Sequence, residues 1–492
     1  MPQALLISPG DSVATLLGDA AAGEIVRIGA RDLRTAQTIP AGHKIALAAL
    51  APGAPVTKYG FTIGRATAPV APGDWVHAHN LATGLSGTCE YAWRPAPPPD
   101  LPASPATFQG YVRPDGRAGT RNEIWILPTV GCVARTAQRI AAEAARRFAG
   151  AVDGIHAFAH PFGCSQLGED LAGTRAILAA LAQHPNAAGV LLVGLGCESN
   201  QLDALIATIA PERRAAIRRL SAQVAADETE EGVALVGELV EAVRTARRET
   251  VGLDRLVLGV KCGGSDGFSG LTANPLVGRI ADRVVGSGGR VVLTEIPEIF
   301  GAEQMLLDRA ADRATFDALA TAINGFKRYF LDHGEPVSEN PSPGNVAGGI
   351  TTLEEKSLGA VQKAGRAPVM DVLAYGAQVR VAGLSVLEAP GNDAVSSTAL
   401  AAAGATAILF TTGRGTPLGF PVPTIKIATN SALAARKPGW IDFDAGVVTR
   451  GGFAAAETAL LDRVMAIASG QETSAERNGE REIAIWKRGV TL

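Results

Sequence analysis

The chain has 492 residues, with 45 Lys and Arg against 48 Asp and Glu and a formal net charge of −3. That balance carries no basic footprint for nucleic acid, and no apolar run approaches the length of a membrane span. Hydrophobic residues at 47% with aromatics at 5% favour alanine- and valine-rich α/β packing, in a chain long enough for two or three cores. Met1-Pro2-Gln3-Ala4 lacks the basic start of a secretory signal. A cytoplasmic protein is therefore expected, and there five cysteines read as thiols or metal ligands rather than a disulfide framework.

Residues 1–86 read as a small β-rich domain. Ile25-Val26-Arg27-Ile28 is a short strand, and turns are signalled at Pro9-Gly10, Pro52-Gly53 and Pro72-Gly73. Val76-His77-Ala78-His79-Asn80 alternates as a strand would, placing His77 and His79 on one face. With His43, these are three of the chain's seven histidines. Two imidazoles on one face suit a metal or an anionic substrate. Residues 87–109 form a linker, stiffened by Arg94-Pro95-Ala96-Pro97-Pro98-Pro99, able to swing the small domain over a site.

From Gly110 the pattern becomes α/β. Three apolar runs, Ile124–Leu127, Ile155–Phe158 and Val190–Val193, are each followed by a glycine and then by Cys132, Cys164 or Cys197. A fourth, Leu256–Val260, leads into Lys261-Cys262-Gly263-Gly264-Ser265-Asp266-Gly267. The cysteine spacing matches one strand-plus-helix period, repeated and then doubled. A strand over Ala222–Ala226 is expected midway in the doubled gap, ending at Asp227-Glu228. A parallel sheet collects its strand ends at one edge, so the pattern predicts a cluster of Cys132, Cys164, Cys197 and Cys262. Helices are expected over 133–149, 171–184 and 231–248. The whole stretch from Gly110 onward is expected as mainly parallel α/β.

Glycine-rich polar segments recur at later strand ends: Glu295 to Glu303, Ser342 to Gly349, Pro390 to Asp393 and Thr412 to Pro417. Open α/β sheets bind ligands at that edge. There is no phosphate-binding GxxxxGK[ST] loop, no dinucleotide fingerprint and no GxSxG elbow, so no nucleotide cofactor is expected. The remaining chemistry is thiolate, imidazole and carboxylate, suited to zinc, copper or iron. A non-redox metal there would act as a Lewis acid on a polyhydroxy acid, with a histidine or lysine taking a proton. His43, His79 and His160, which precedes Pro161-Phe162-Gly163-Cys164, are the candidate acid–base residues. His77, Arg121, Asn122, Ser265, Asp266, Asn274 and Arg414 are the candidate substrate contacts; an arginine at position 121 suits a bidentate clamp on a carboxylate. The candidate metal ligands are Cys262, Cys197, Cys132, Cys164 and Glu295.

These stretches, with Gly42-His43-Lys44, Gly119-Thr120-Arg121-Asn122, Gly163-Cys164-Ser165-Gln166 and the terminal Gly489-Val490-Thr491-Leu492, resemble the altronate and galactarate dehydratase family of sugar-acid dehydratases over nearly the whole chain. Gly163–Gln166 and Asp442-Phe443-Asp444-Ala445-Gly446 look more like its altronate branch. The resemblance implies an N-terminal β-clip (SAF-like) domain, a linker, a dimerising middle domain and a Rossmann-like C-terminal domain without a nucleotide. It further implies dehydration of D-altronate to 2-dehydro-3-deoxy-D-gluconate with ferrous iron, or manganese in its place, in a homodimer. In the family the metal is associated with the C-terminal domain, so Cys262 with Glu295, Glu298 or Asp393 is the alternative ligand set to the four cysteines.

Overall fold

The computed structural model describes residues 1–491; Leu492, at the end of the last matching stretch, lies outside them. Short antiparallel strands between Ala4 and Ala82 form a four-stranded sheet, a three-stranded sheet and a hairpin. The expected strand at Ile25–Ile28 is present, paired with Arg31–Arg34. The strand expected to carry His77 and His79 is only Trp75–Val76; His77 to Asn80 form a turn, closed by Asn80 N donating to the His77 carbonyl at 3.0 Å. The Asn80 side chain supplies the reason. Its carbonyl caps the His77 N–H at 2.9 Å and its amide donates to the Trp75 carbonyl at 3.0 Å, curling the chain where alternation alone would extend it.

The middle of the chain forms a four-stranded parallel sheet from β1 (Glu123–Pro128), β2 (Gly154–Ala157), β3 (Ala187–Gly194) and β4 (Ile217–Ser221), in the order β2-β1-β3-β4. Every residue of β1 and β3 is buried, because helices cover both faces. These helices include α1 (Ala134–Arg147), α2 (Gly168–Ala182) and α3 (Glu228–Val243). The strand expected over Ala222–Ala226 is not there; β4 precedes that stretch, ending at Ser221. Asp227 caps α3 instead, accepting from the N–H groups of Thr229 and Glu230.

A second parallel sheet carries β5 (Val257–Cys262), β6 (Arg290–Leu293), β7 (Val369–Leu373), β8 (Gly383–Leu387), β9 (Ala407–Thr412), β10 (Thr424–Ala428) and β11 (Phe443–Asp444). Its order is β7-β8-β6-β5-β9-β10-β11. Successive strands leave β5 first on one side and later on the other, so the order reverses at β5 and opens a crevice at its carboxyl end. A small-residue helix, α4 (Ala273–Gly286), follows the β5 loop.

The expected single cysteine edge is therefore split. Cys132, Cys164 and Cys197 follow β1, β2 and β3 of the first sheet, whereas Cys262 ends β5 of the second. Regular spacing carries no mark of where one sheet stops, and here a strand at Glu249–Gly252, paired antiparallel with Thr107–Val112, separates the two.

The linker does not swing free. Ala96 N donates to the Asp308 carbonyl at 3.1 Å, Ser104 N to Ser287 Oγ at 2.9 Å, and the Asn324 amide to the Cys89 carbonyl at 2.8 Å. The β-rich region itself is docked. Val56, Ile63, Val76 and Leu81 belong to the same apolar core as Leu353 and Leu358, and each such fully buried side chain contributes about 1.5–3 kcal/mol.

Candidate active site

At the carboxyl end of β5 lies a cavity of about 1100 Å³, lined among others by Cys262, Glu298, Asn345, Lys356 and Asp393. Its floor is a buried cluster of alternating charge. Cys262 Sγ is 2.7 Å from Lys363 Nζ and 3.2 Å from a Glu298 oxygen. A Glu295 oxygen accepts from the Cys262 N–H at 3.1 Å and from Lys363 Nζ at 3.1 Å. Lys261 pairs with Glu295 and, at 2.8 Å, with Asp393; Lys356 pairs with Glu298 at 2.8 Å.

Local backbone geometry delivers these groups. Cys262 is the last residue of a buried strand, so its position is set by the sheet. Glu295 adopts a left-handed conformation, φ 70°, two residues after the end of β6. A non-glycine residue there is uncommon and is held by its surroundings. The bend turns its carboxylate back over β5, and the Ile296–Ile299 turn then presents Glu298.

The electrostatics follow from burial and pairing. Burial, aided by the neighbouring Glu295 and Glu298 charges, pushes the Cys262 thiol up to about 12 despite Lys363. Burial and the Glu298 charge raise Glu295. Burial opposes ionisation of Glu298, but Lys356, Lys261 and Lys363 together outweigh it and hold that carboxyl down at about 2. Lys261 and Lys363 are likewise kept above the ordinary lysine value by their anionic neighbours, against burial. The floor is thus a set of fixed charges of both signs with little water to screen them.

Among the described residues, Cys262, Glu295 and Glu298 are the one group of three metal-ligating side chains whose donor atoms all lie within 4.8 Å of one another. A soft sulfur with two hard oxygens fits a divalent first-row metal. Cys132, Cys164 and Cys197 do not join this group; all three are exposed, at the edge of the other sheet.

The other expected site residues divide sharply. Arg121 is buried and all of its donors are used: on Glu476 at 2.9 and 3.0 Å, and on the carbonyls of Thr120, Ile467 and Gln471. It ties the C-terminal segment to the middle sheet, with its guanidinium donors turned to these partners rather than to the cavity. Asn122 is held between Arg113 at 2.9 Å and the Val243 carbonyl at 3.2 Å. Asn274 bridges the Gly359 carbonyl and Thr411. His160 is packed, with Nε2 at 2.8 Å from the Pro128 carbonyl and Nδ1 accepting from Phe162 N, and burial lowers its pKa. The polar groups of these four residues are spent on the scaffold, because a buried polar group must find a hydrogen-bond partner.

Asp266 staples its own loop, accepting from Thr429 at 2.9 Å, Ser269 at 3.1 Å and Asn430 at 3.0 Å. Ser265 is joined through its carbonyl to the Asn345 amide at 2.9 Å, so Asn345 is held against the cavity wall. Arg414 is exposed and reaches the Gly344 carbonyl at 3.3 Å, beside the residues that form the cavity rim.

The histidines meet the cavity from behind. His43 is buried, its Nδ1 accepting from the Trp75 indole at 3.2 Å; burial, with His77 and Lys44 nearby, lowers its pKa to about 4. His77 Nε2 lies 3.0 Å from the carbonyl of Val346, a wall residue. His43 packs on His77, and Trp75 on both His77 and the exposed His79. Below them Glu355 receives Lys44 at 2.7 Å and Lys58 at 2.8 Å, all three side chains buried. The β-rich region is thereby keyed into the Asn345–Glu355 segment.

Sequence reasoning missed Lys261, Lys356 and Lys363 as site residues. A lysine beside an apolar run, as at Lys261, is a weak cue to a buried charge. Lys363, in Val361-Gln362-Lys363-Ala364, carries none.

Sequence comparison agrees with this architecture along its length. The altronate/galactarate dehydratase SAF domain matches residues 2–84, the D-galactarate dehydratase/altronate hydrolase second domain residues 110–244, and the D-galactarate/altronate dehydratase C-terminal domain residues 253–491. The chain is 49% identical to an altronate dehydratase of Escherichia coli K12, covering 98% of each chain, and 45% identical to one of Bacillus subtilis 168, covering 100% of each. It is 31% identical to a galactarate dehydratase (L-threo-forming) of Escherichia coli K12, covering 89% of this chain and 88% of the relative. The chain belongs to the altronate/galactarate dehydratase family, a family of hydro-lyases.

Proposed function

We propose that the protein removes water from D-altronate to give 2-dehydro-3-deoxy-D-gluconate. The observation that carries this reading is the end-to-end likeness to two altronate dehydratases, well above that to the galactarate enzyme. The cavity chemistry supports it. Loss of the proton beside a carboxylate creates an enediolate, and its dispersed negative charge needs fixed positive partners. Lys356 lines the cavity, and Lys363 lies behind Cys262 as a second fixed positive charge. Cys262, Glu295 and Glu298 would hold a divalent ion, which we take to be ferrous iron with manganese as the alternative; bound there it supplies Lewis-acid stabilisation of the developing charge.

Asp393 lines the cavity with its side chain 36% exposed and is oriented by Lys261, so it is our choice to accept the C2 proton. Lys356, also at the cavity surface, is placed to hydrogen-bond the departing C3 hydroxyl. Arg414 at the rim is placed to receive the substrate carboxylate. His43 and His77 take a positioning role in this scheme, holding the Val346–Ala347 turn that forms part of the wall. We further propose a homodimer in a reducing cytoplasm; the five cysteines are all unpaired, and no helix among the described residues is long and apolar enough to cross a membrane. The boundaries we assign are a β-clip domain over 1–86, a linker over 87–109 and α/β domains over 110–250 and 251–492.

The test is an anaerobic assay of aldonic and aldaric acids with ferrous iron, scored by 2-keto acid formation. Altronate is expected to be the best substrate. A preference for galactarate overturns the substrate assignment, and full turnover after complete chelation overturns the metal requirement.

A further inference from the structure

Three thiols stand apart from the cavity, at the carboxyl edge of the middle sheet. Strands β2, β1 and β3 are immediate neighbours, and each is followed by a loop in which a glycine directly precedes a cysteine: Gly163-Cys164, Gly131-Cys132 and Gly196-Cys197. None of the three is in a disulfide and all are exposed, whereas core cysteines are ordinarily buried.

The loops are locked to one another. Gly131 N donates to the Phe162 carbonyl at 2.8 Å, and Asn200 N to the Gly163 carbonyl at 3.1 Å. The Asn200 amide reaches the Thr129 carbonyl at 3.3 Å, and Thr129 Oγ1 donates to Glu198 at 2.7 Å. Two of the glycines are sterically required. A Cβ on Gly163, whose φ is +101°, would fall 2.1 Å from the Thr129 carbonyl oxygen, and one on Gly131 would lie 2.9 Å from the Pro161 backbone. Backbones packed this closely bring the residues that follow them to one place.

Cys132 lies in the turn that opens α1, whose amino end carries partial positive charge. The Gln223 amide donates to Cys197 Sγ at 3.8 Å, and Ser165, beside Cys164, is held at a left-handed φ of 55°. The three sulfurs are not all within 4.8 Å of one another, so they are too widely spread for one small ion. A cubane cluster, whose cysteine ligands stand further apart because each binds a different iron, accepts that spread.

We propose that Cys132, Cys164 and Cys197 are the thiolate ligands of an iron–sulfur cluster, three of its irons held by protein sulfur and one left open. The site is separate from the Cys262 cavity and does not rest on the substrate assignment.

The experiment uses the full chain, purified anaerobically and reconstituted with ferrous iron and sulfide. Iron, acid-labile sulfide, visible absorption and the electron paramagnetic resonance of the reduced protein are read together. The expected result is bound sulfide with a broad visible band in the wild type, lost in Cys132→Ala, Cys164→Ala, Cys197→Ala and the triple variant, with unchanged circular dichroism and melting. Cys89→Ala and Cys262→Ala are expected to keep the band. Absence of bound sulfide after reconstitution overturns the proposal. So does a band that survives the triple substitution, metal bound by these thiols without sulfide, or a band that disappears in Cys262→Ala.

Discussion

Glu355 offers a sharp test of how the β-rich region is attached. Its carboxylate is fully buried and receives two ammoniums, Lys44 at 2.7 Å and Lys58 at 2.8 Å, from the far side of the domain contact. Burial works against its ionisation, but the two lysines outweigh burial and bring the pKa from 4.5 to about 2. By linkage that difference is worth about 3 kcal/mol, the same order as the 3–5 kcal/mol found on breaking a buried ion pair. Glu355→Gln nearly keeps the shape and removes the charge, leaving two buried ammoniums opposite a neutral amide. The expected melting-temperature loss is roughly 6–12 °C, at about 2–4 °C per kcal/mol for a domain of this size.

The measurement is thermal unfolding at neutral pH beside the triple variant Lys44→Met/Lys58→Met/Glu355→Met, which replaces the whole charged group by apolar side chains. The triple variant should recover much of what the single variant loses, because no unpaired charge remains. The pH dependence has a defined sign. The folded pKa lies below the unfolded one, so the stabilisation is complete above pH 4.5 and disappears as the pH falls toward 2. A Glu355→Gln protein that melts within a degree of the wild type would refute the reasoning, and so would a triple variant less stable than the single one.

Cys262→Ser is expected to lose bound divalent metal and turnover together while melting as the wild type does; full metal occupancy with normal turnover would remove the thiol from the site. Asp393→Asn should lower kcat by about 10²–10⁴, the usual range for a general base, with KM little changed, and a fall in affinity alone would mark it as a binding residue instead. Arg121→Lys should reduce stability by about 3 kcal/mol or more through loss of its bidentate pair with Glu476, with KM unaffected at permissive temperature; a raised KM in a stably folded variant would restore the substrate-clamp role.

Much of the architecture was legible in the residues themselves. The apolar runs that became β1, β3, β5 and β9 are buried on both faces, and continuous hydrophobicity is what a covered parallel strand requires. The Lys261–Pro275 stretch announced a ligand-facing strand end because no apolar periodicity explains its glycines and polar groups. Family membership was legible in the long motifs, which run from Gly42-His43-Lys44 to the C-terminal segment. The sequence also named Cys262 and Glu295, since each follows the end of an apolar run with one residue between.

Only the tertiary structure decided which polar strand-end residues face the cavity. Arg121 and Asn122 precede β1, His160 follows β2 and Asn274 lies in the first turn of α4, and the hydrogen bonds of all four are spent on groups of the surrounding scaffold. Lys363 and Lys356 look like surface charges along the chain and become buried partners of Cys262 and Glu298 through packing against β5. The division of the cysteines into one and three was out of reach of spacing and was signalled only by the family resemblance, because a strand's place in a sheet depends on which neighbours it pairs with. Local sequence specifies what each segment can form; contacts between residues hundreds of positions apart specify what its side chains are left free to do.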